Sequence, residues 1–274
     1  MATDSESPQT PDERESVHRD LAGALEAGQF FLVYQPTIDL QTNGFAGVEA
    51  LLRWRHPTRG VLAPDAFFAE LEASDQIVDV GRWTLDSACR QGALWHAKGY
   101  RFSVSVNVAR AQFERPGFVD DVVAALAQSR FNPALLVLEL GQRAVLAPGA
   151  DTPLRLAALA NLGVRLSVDD FVLGSSSMDT LSGVPVDVVK IARASIKVVR
   201  SDKAAAKYLH ELMTAARHRG VRVVAAGVED AKQRKALRLE SVDVGQGYLF
   251  SRPAEVPDVD RFLEDFALFS GDPL

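Results

Sequence analysis

The sequence predicts an α/β chain folded as a TIM-type (β/α)8 barrel, and two patterns predict it. Apolar, β-like runs alternate with helix-spaced segments through most of the 274 residues, the order that builds a parallel sheet with helices outside it. Four of these runs also finish in carboxylates or amides. Phe45–Val48 leads into Glu49, Phe102–Val106 into Asn107, Leu135–Leu138 into Glu139, and Val164–Val168 into Asp169 and Asp170. In such a barrel the functional residues project from the C-terminal ends of several strands into one pocket. Oxygen donors converging there suit a hard cation such as Mg²⁺.

Residues 1–16 are rich in Ser, Thr, Pro, Asp and Glu without apolar periodicity and are expected to be a disordered tail. The barrel is expected over 17–268, with 269–274 as a C-terminal tail. Phe30–Tyr34 is the first strand signal, and the turn at Gln41–Gly44 leads into the second, read as ending at Glu49. Helical spacing follows over Asp65–Ala73 and Val80–Lys98. The strand to Asn107, a helix over Pro116–Gln128 and the strand to Glu139 come next. A helix over Thr152–Leu162 precedes the strand to Asp170, then Val186–Ile191 forms a short strand. A helix over Ala204–Arg219, a strand over Val221–Ala226, a helix over Asp230–Leu239 and a last run, Val244–Phe250, complete eight strand candidates.

A formal charge of −6 and a sequence pI of about 5.4 advertise no basic surface for nucleic acid or an anionic membrane. No run is long enough to span a bilayer and no apolar leader opens the chain, so a cytoplasmic protein is expected. Cys89 is the only cysteine, which excludes an intramolecular disulfide; it reads as a buried small apolar residue. Trp54, Trp83 and Trp95 read as core aromatics. His56 reads as a loop residue after its strand, and His18, His96, His210 and His218 lie on helical segments without metal-ligand spacing.

A series of motifs, in order, resembles the EAL-domain family. Tyr34-Gln35-Pro36 is followed by Glu49-x-Leu51-x-Arg53, by Leu52–Pro57 as LRWRHP, and by Ser105-Val106-Asn107. Asp169-Asp170-Phe171, Val186–Ile191 and Gln246–Phe250 as QGYLF complete the series. The resemblance implies a TIM-type barrel with an irregular first strand. It implies a bacterial signalling protein that binds cyclic di-GMP, and in active members hydrolyses it to pGpG with Mg²⁺ or Mn²⁺. Carried over residue by residue, Glu49, Asn107, Glu139 and Asp169 would ligate the first metal. Asp170 would approach the second metal and Lys190 would steady the attacking water or the phosphate. Arg53 would grip a phosphate, where a guanidinium fork suits two oxygens; a structural ion pair with Glu49 or Asp170 is the competing reading. Gln35, Leu51, Asp170, Gln246 and Pro253 would line the nucleotide pocket.

The departures cluster. The family's EGVE reads Ala226-Gly227-Val228-Glu229, so Ala226 stands at the general-base position. KID reads Lys190-Ile191-Ala192, and Gln142 replaces a loop-anchoring Glu. In the loop after the paired aspartates, which ends Gly174-Ser175-Ser176-Ser177, Val172 replaces a glycine, a change that matters if the position needs positive φ. Losing a general base costs about 10²- to 10⁴-fold in rate. The expected function is therefore cyclic di-GMP binding with weak or absent hydrolysis. An active phosphodiesterase and a nucleotide-independent protein-binding module are the alternatives. The resemblance also implies a homodimer contact near that loop, which the altered loop puts in question.

Overall fold

The computed structural model describes residues 10–146, 149, 151–174 and 177–270. Nine strands are present among them. They are β1 (Phe30–Asp39), β2 (Phe45–His56), β3 (Gly60–Leu62), β4 (Ser103–Val108), β5 (Leu136–Gly141), β6 (Arg165–Phe171), β7 (Val188–Ile191), β8 (Arg222–Ala226) and β9 (Val244–Gln246). Their order, β1-β9-β8-β7-β6-β5-β4-β2, closes on itself because β1 also pairs with β2, and β3 hangs on the outer edge of β2. The closed ring therefore contains all eight strands expected from the sequence.

The ring is irregular at its first strand. β1 runs antiparallel to both β2 and β9, while β2, β4 and the strands through β9 are parallel neighbours. The helices are α1 (Pro11–Leu21), α2 (Phe68–Glu72), α3 (Gln76–Ala97), α4 (Arg110–Glu114), α5 (Phe118–Ser129), α6 (Gln142–Leu146), α7 (Thr152–Asn161), α8 (Arg193–Val198), α9 (Lys203–Arg219), α10 (Ala231–Leu239) and α11 (Val256–Ser270). Of these, α4, α6 and α8 are too short to carry a readable period.

Burying apolar side chains makes two cores. The larger packs the barrel wall against its helices, with Trp95, Phe113, Phe118, Leu136 and Leu138 fully buried. The smaller joins Val17 and Leu21 of α1 to Phe30, Trp54, Leu62, Phe67, Leu71, Ile77 and Val80. Trp54 is fully buried there and Trp83 packs against it, as the sequence reading of the tryptophans had it. Cys89 is buried too, and burial pushes its thiol up to about 12.

The smaller core corrects three expectations. Helix begins at Pro11, inside the stretch expected to be a tail, because Val17 and Leu21 stand four apart on one face and bury completely. Residues 1–9 lie outside the described residues, and α11 runs on to Ser270, past the expected boundary at 268. Second, β2 does not end at Glu49 but continues to His56, held by β1 on one side and β3 on the other. What stops near Glu49 is the ladder with β4, whose last pair is Ala50 with Val106. Third, His56 is a buried strand residue. Its Nδ1 accepts the backbone N–H groups of Thr58 and Arg59, and Nε2 lies 3.2 Å from Oδ2 of Asp20 on α1.

Candidate functional site

Side chains alternate along each strand, so every second residue of the ring faces the barrel axis. At the C-terminal end this rule gathers Gln35, Glu49, Glu139, Lys190 and Gln246, all buried. Lys190 Nζ lies 2.7 Å from Glu139 Oε2 and 2.8 Å from Glu49 Oε2. Gln246 donates from Nε2 to Glu49 Oε2 at 2.6 Å and to Gln35 Oε1 at 3.2 Å, and Gln35 donates to the carbonyl of Ser251 at 3.0 Å. Asn107 Nδ2 donates to Glu49 Oε1 at 2.7 Å. Both oxygens of Glu49 are thus engaged by groups from three other strands.

Asp169 and Asp170 owe their placement to a break in the ladder. The register between β6 and β7 shifts between Val168 and Phe171, and Asp170 sits at φ 54°, in the left-handed region. Such a bulge lets two consecutive residues border one pocket where regular pleating would send them to opposite faces. Non-glycine residues pay a strain for this geometry, and aspartate tolerates it better than most. Val172, by contrast, is not among the described residues with positive φ, so its replacement of glycine forces no left-handed backbone. Ser175 and Ser176 of the same loop lie outside the described residues.

The electrostatics are unbalanced. Burial works against ionising Glu49, but the Lys190 ammonium and the hydrogen bonds from Gln246 and Asn107 outweigh it and hold its carboxyl below the usual range. Burial pushes Glu139 up to about 8, with the charges of Glu49 and Asp169 adding to it against the pull of Lys190. Burial raises Asp169 as well. Burial alone would lower Lys190, yet Glu139, Glu49 and Asp169 together raise it well above an ordinary lysine. One ammonium faces three carboxylates, with Asp170 beside them.

Two cavities meet over this cluster. One, of about 550 Å³, is lined by Gln35, Leu51, Arg53, Lys190, Gln246 and Pro253, and also by Ala226, Arg193, Glu229 and Tyr248. The other, of about 830 Å³, runs under α2 and α3 past Asn107 and Glu139. Glu49, Leu51, Pro64, Asp65, Asp169 and Asp170 border both. Every site residue named from the sequence therefore lies on one or both cavities. Arg53 stands on the part of β2 beyond the barrel ladder, where its Nη1 donates to the Leu52 carbonyl at 2.7 Å.

Sequence reasoning did not single out Arg193 or Tyr248. Arg193 opens α8 and is bound to Glu229, with Nε donating to Oε1 at 3.1 Å, and the Arg252 guanidinium lies 4.2 Å from the centre of the Tyr248 ring. Only the QGYLF motif carried a signal for Tyr248. Ala226 ends β8 opposite Gln246, so a methyl group faces the pocket there. Ala192 follows β7, buried, its N–H bonded to the Phe171 carbonyl.

The same ordered motifs, now placed around one barrel mouth, match the EAL domain family model over residues 18–253. The chain belongs to the EAL-domain family. The cyclic di-GMP phosphodiesterase NbdA of Pseudomonas aeruginosa is 35% identical over 259 residues, covering 94% of this chain and 33% of NbdA. The PaMucR phosphodiesterase, solved as a c-di-GMP complex, superposes with a TM-score of 0.85 at 34% identity, over 89% of this chain and 99% of that chain. The EAL enzyme Bd1971, in its cAMP and cyclic-di-GMP bound form, gives 0.84 at 27% identity, over 94% of this chain and 70% of that one. The EAL domain described here spans about a third of the length of NbdA.

The donor chemistry of the cluster suits a divalent cation, since three carboxylates and an amide supply hard oxygen and only one ammonium offsets them. The arrangement itself is not a ligand cage: among the described residues no group of three or more His, Cys, Asp or Glu side chains is set to hold a metal ion. Lys190 lies between Glu49 and Glu139, and Asn107 presents its NH₂ to Glu49, so its oxygen would have to turn inward to ligate. Among the described residues no helix is long and apolar enough to cross a membrane.

Proposed function

We propose that this EAL domain binds cyclic di-GMP and hydrolyses it to pGpG weakly or not at all. The observation that carries the reading is Ala226 on the pocket wall, with the neighbouring carboxylate, Glu229, already committed to Arg193. A methyl group can neither accept a proton nor bind a cation, and a carboxylate tied to a guanidinium makes a poor base.

Binding is supported by shape and charge. A ligand with two bases flanking two phosphodiesters suits two cavities that meet at a polar seam. Arg53 on the outer arm of β2 offers a fork for one phosphate, and Gln35, Leu51, Gln246 and Pro253 border the same cavity. The carboxylate excess around Lys190 repels a dianion unless a cation balances it. Glu49, Asn107, Glu139 and Asp169 would hold that cation, Mg²⁺ or Mn²⁺. Bound there, it supplies neutralisation and Lewis acidity toward a phosphate oxygen. Lys190 orders Glu49 and Glu139 by its two ion pairs, and Asp170 adds charge at the seam. Ala226 and Ala192 themselves supply no carboxylate for a second cation. This reading takes the chain to act in the cytoplasm.

The name of NbdA favours a second reading, an active phosphodiesterase. One sample decides between them. Calorimetry with cyclic di-GMP and Mg²⁺ should show saturable binding, while chromatography of the same mixture with Mn²⁺ shows little pGpG. Sustained pGpG production that Glu49→Ala abolishes establishes the second reading; absence of binding overturns the first.

A further inference from the structure

A cationic groove lies along α10, away from the candidate site. It is lined by Arg234, Lys235, Arg238 and Leu239, with Ala231 and Gln41 closing its sides, and holds about 510 Å³. Gln41 belongs to the β1–β2 turn, at the barrel end where β2 begins, opposite to the end that carries Glu49 and Asp169. Three cations and no carboxylate line this groove in a chain whose formal charge is −6.

The cations lack counter-ions. Other arginines meet a carboxylate, as Arg82, Arg110, Arg115, Arg219 and Arg222 do. Among the described residues no salt bridge forms to Arg234, Lys235 or Arg238. Arg234 donates to Asn43 Oδ1 and its Nε is buried without a hydrogen-bond partner. The carboxylates nearest in sequence are engaged elsewhere. Asp39 accepts the N–H groups of Gln41 and Thr42, Asp230 caps α10, and Glu240 pairs with His210. Beside the cations Leu239 is 76% exposed, among the most exposed large apolar side chains described.

An unbalanced row of cations next to a bare leucine has two complementary needs, carboxylates and an apolar contact. Free phosphate meets only the first. We propose that this groove docks an acidic, leucine-bearing segment of a partner protein, in which carboxylates meet Arg234, Lys235 and Arg238 and an apolar side chain covers Leu239. The groove is separate from the nucleotide pocket, so the partner and the nucleotide bind without competing.

The test uses the full chain and a fluorescein-labelled nonapeptide of Asp and Glu with two leucines. Anisotropy should show saturable binding at low salt that weakens as salt screens it. Lys235→Glu with Arg238→Glu, both at exposed positions, should weaken it by about tenfold or more. Leu239→Ser should weaken it severalfold without changing its salt dependence. No binding at low salt, or equal binding by the double variant, overturns the proposal. Complete displacement by millimolar inorganic phosphate also overturns it, assigning the groove to small anions. Calorimetry with cyclic di-GMP on the double variant should match the unaltered chain, so a failure of either reading is seen separately.

Discussion

The ammonium of Lys190 on β7 reaches across β6 to within 2.7 Å of the Glu139 carboxylate on β5. The same nitrogen holds Glu49 at 2.8 Å, so one buried cation orders carboxylates from two strands. Lys190→Met would leave Glu49 and Glu139 buried without it. Removing one partner of a buried pair costs about 3–5 kcal/mol. Urea denaturation of the variant should show a loss of this size, partly restored by millimolar Mg²⁺. Equal stability of variant and unaltered chain contradicts this account of the cluster.

Arg53 separates binding from folding. It stands on the arm of β2 beyond the β4 ladder, clear of both apolar cores. A hydrogen bond to a charged group contributes about 1.5–3 kcal/mol, which is about 10- to 100-fold in affinity. Arg53→Ala should weaken cyclic di-GMP binding by this factor in calorimetry and leave the melting temperature nearly unchanged. A large fall in melting temperature would instead assign Arg53 a structural role.

Ala226→Glu tests the missing base directly. The position already borders the pocket at the end of β8, facing Gln246. A restored general base is worth about 10²-fold or more, so pGpG production should rise by that order, further with Ala192→Asp. Glu229→Gln in the unaltered chain should change the rate little, because Arg193 already holds that carboxylate. A strong loss on Glu229→Gln identifies Glu229 as the working base.

The eight ring strands were legible because their apolar runs are long enough to show, and because the motifs gave them an order. The polar cluster was legible for the same reason. Its wiring was not: that Lys190 bridges Glu49 and Glu139, or that Arg193 takes Glu229, depends on strands and loops as far apart in sequence as residues 49 and 190 meeting in space. The continuation of β2 past Glu49 was hidden because Leu51 to His56 lie beyond the β4 ladder, paired only with β1 and β3, where inward and outward alternation no longer holds. The bulge at Asp170 leaves no compositional trace, since aspartate is as ordinary at a strand end as in a left-handed turn.

That bulge makes its own prediction. Asp170 holds φ 54°, a conformation that glycine adopts without steric penalty and that a Cβ opposes. Asp170→Gly should therefore be more stable than Asp170→Ala by about 1 kcal/mol in thermal or urea denaturation. Both variants lose the same carboxylate, so their difference isolates the backbone. Equal stabilities would mean that the loop relaxes out of the left-handed region once the carboxylate is gone.

The start of the first helix was missed because, among its described side chains, only two are anchors. α1 is strongly polar, and among its described side chains Val17 and Leu21 alone bury completely, against the core built around Trp54 and Phe67. His56 joins the same contact from the strand side through Asp20, 3.2 Å away. Replacing a buried leucine by alanine costs about 2–5 kcal/mol, the spread reflecting how far the site collapses. If α1 is part of the folded unit, Leu21→Ala should lower the urea midpoint accordingly and perturb Trp54 fluorescence, while Glu15→Ala on the exposed face does neither. α2 packs on α1 and its Phe68, Leu71 and Glu72 border the larger cavity, so the same variant should also loosen nucleotide binding. A Leu21→Ala protein with unchanged stability and fluorescence would return α1 to the status of a tail.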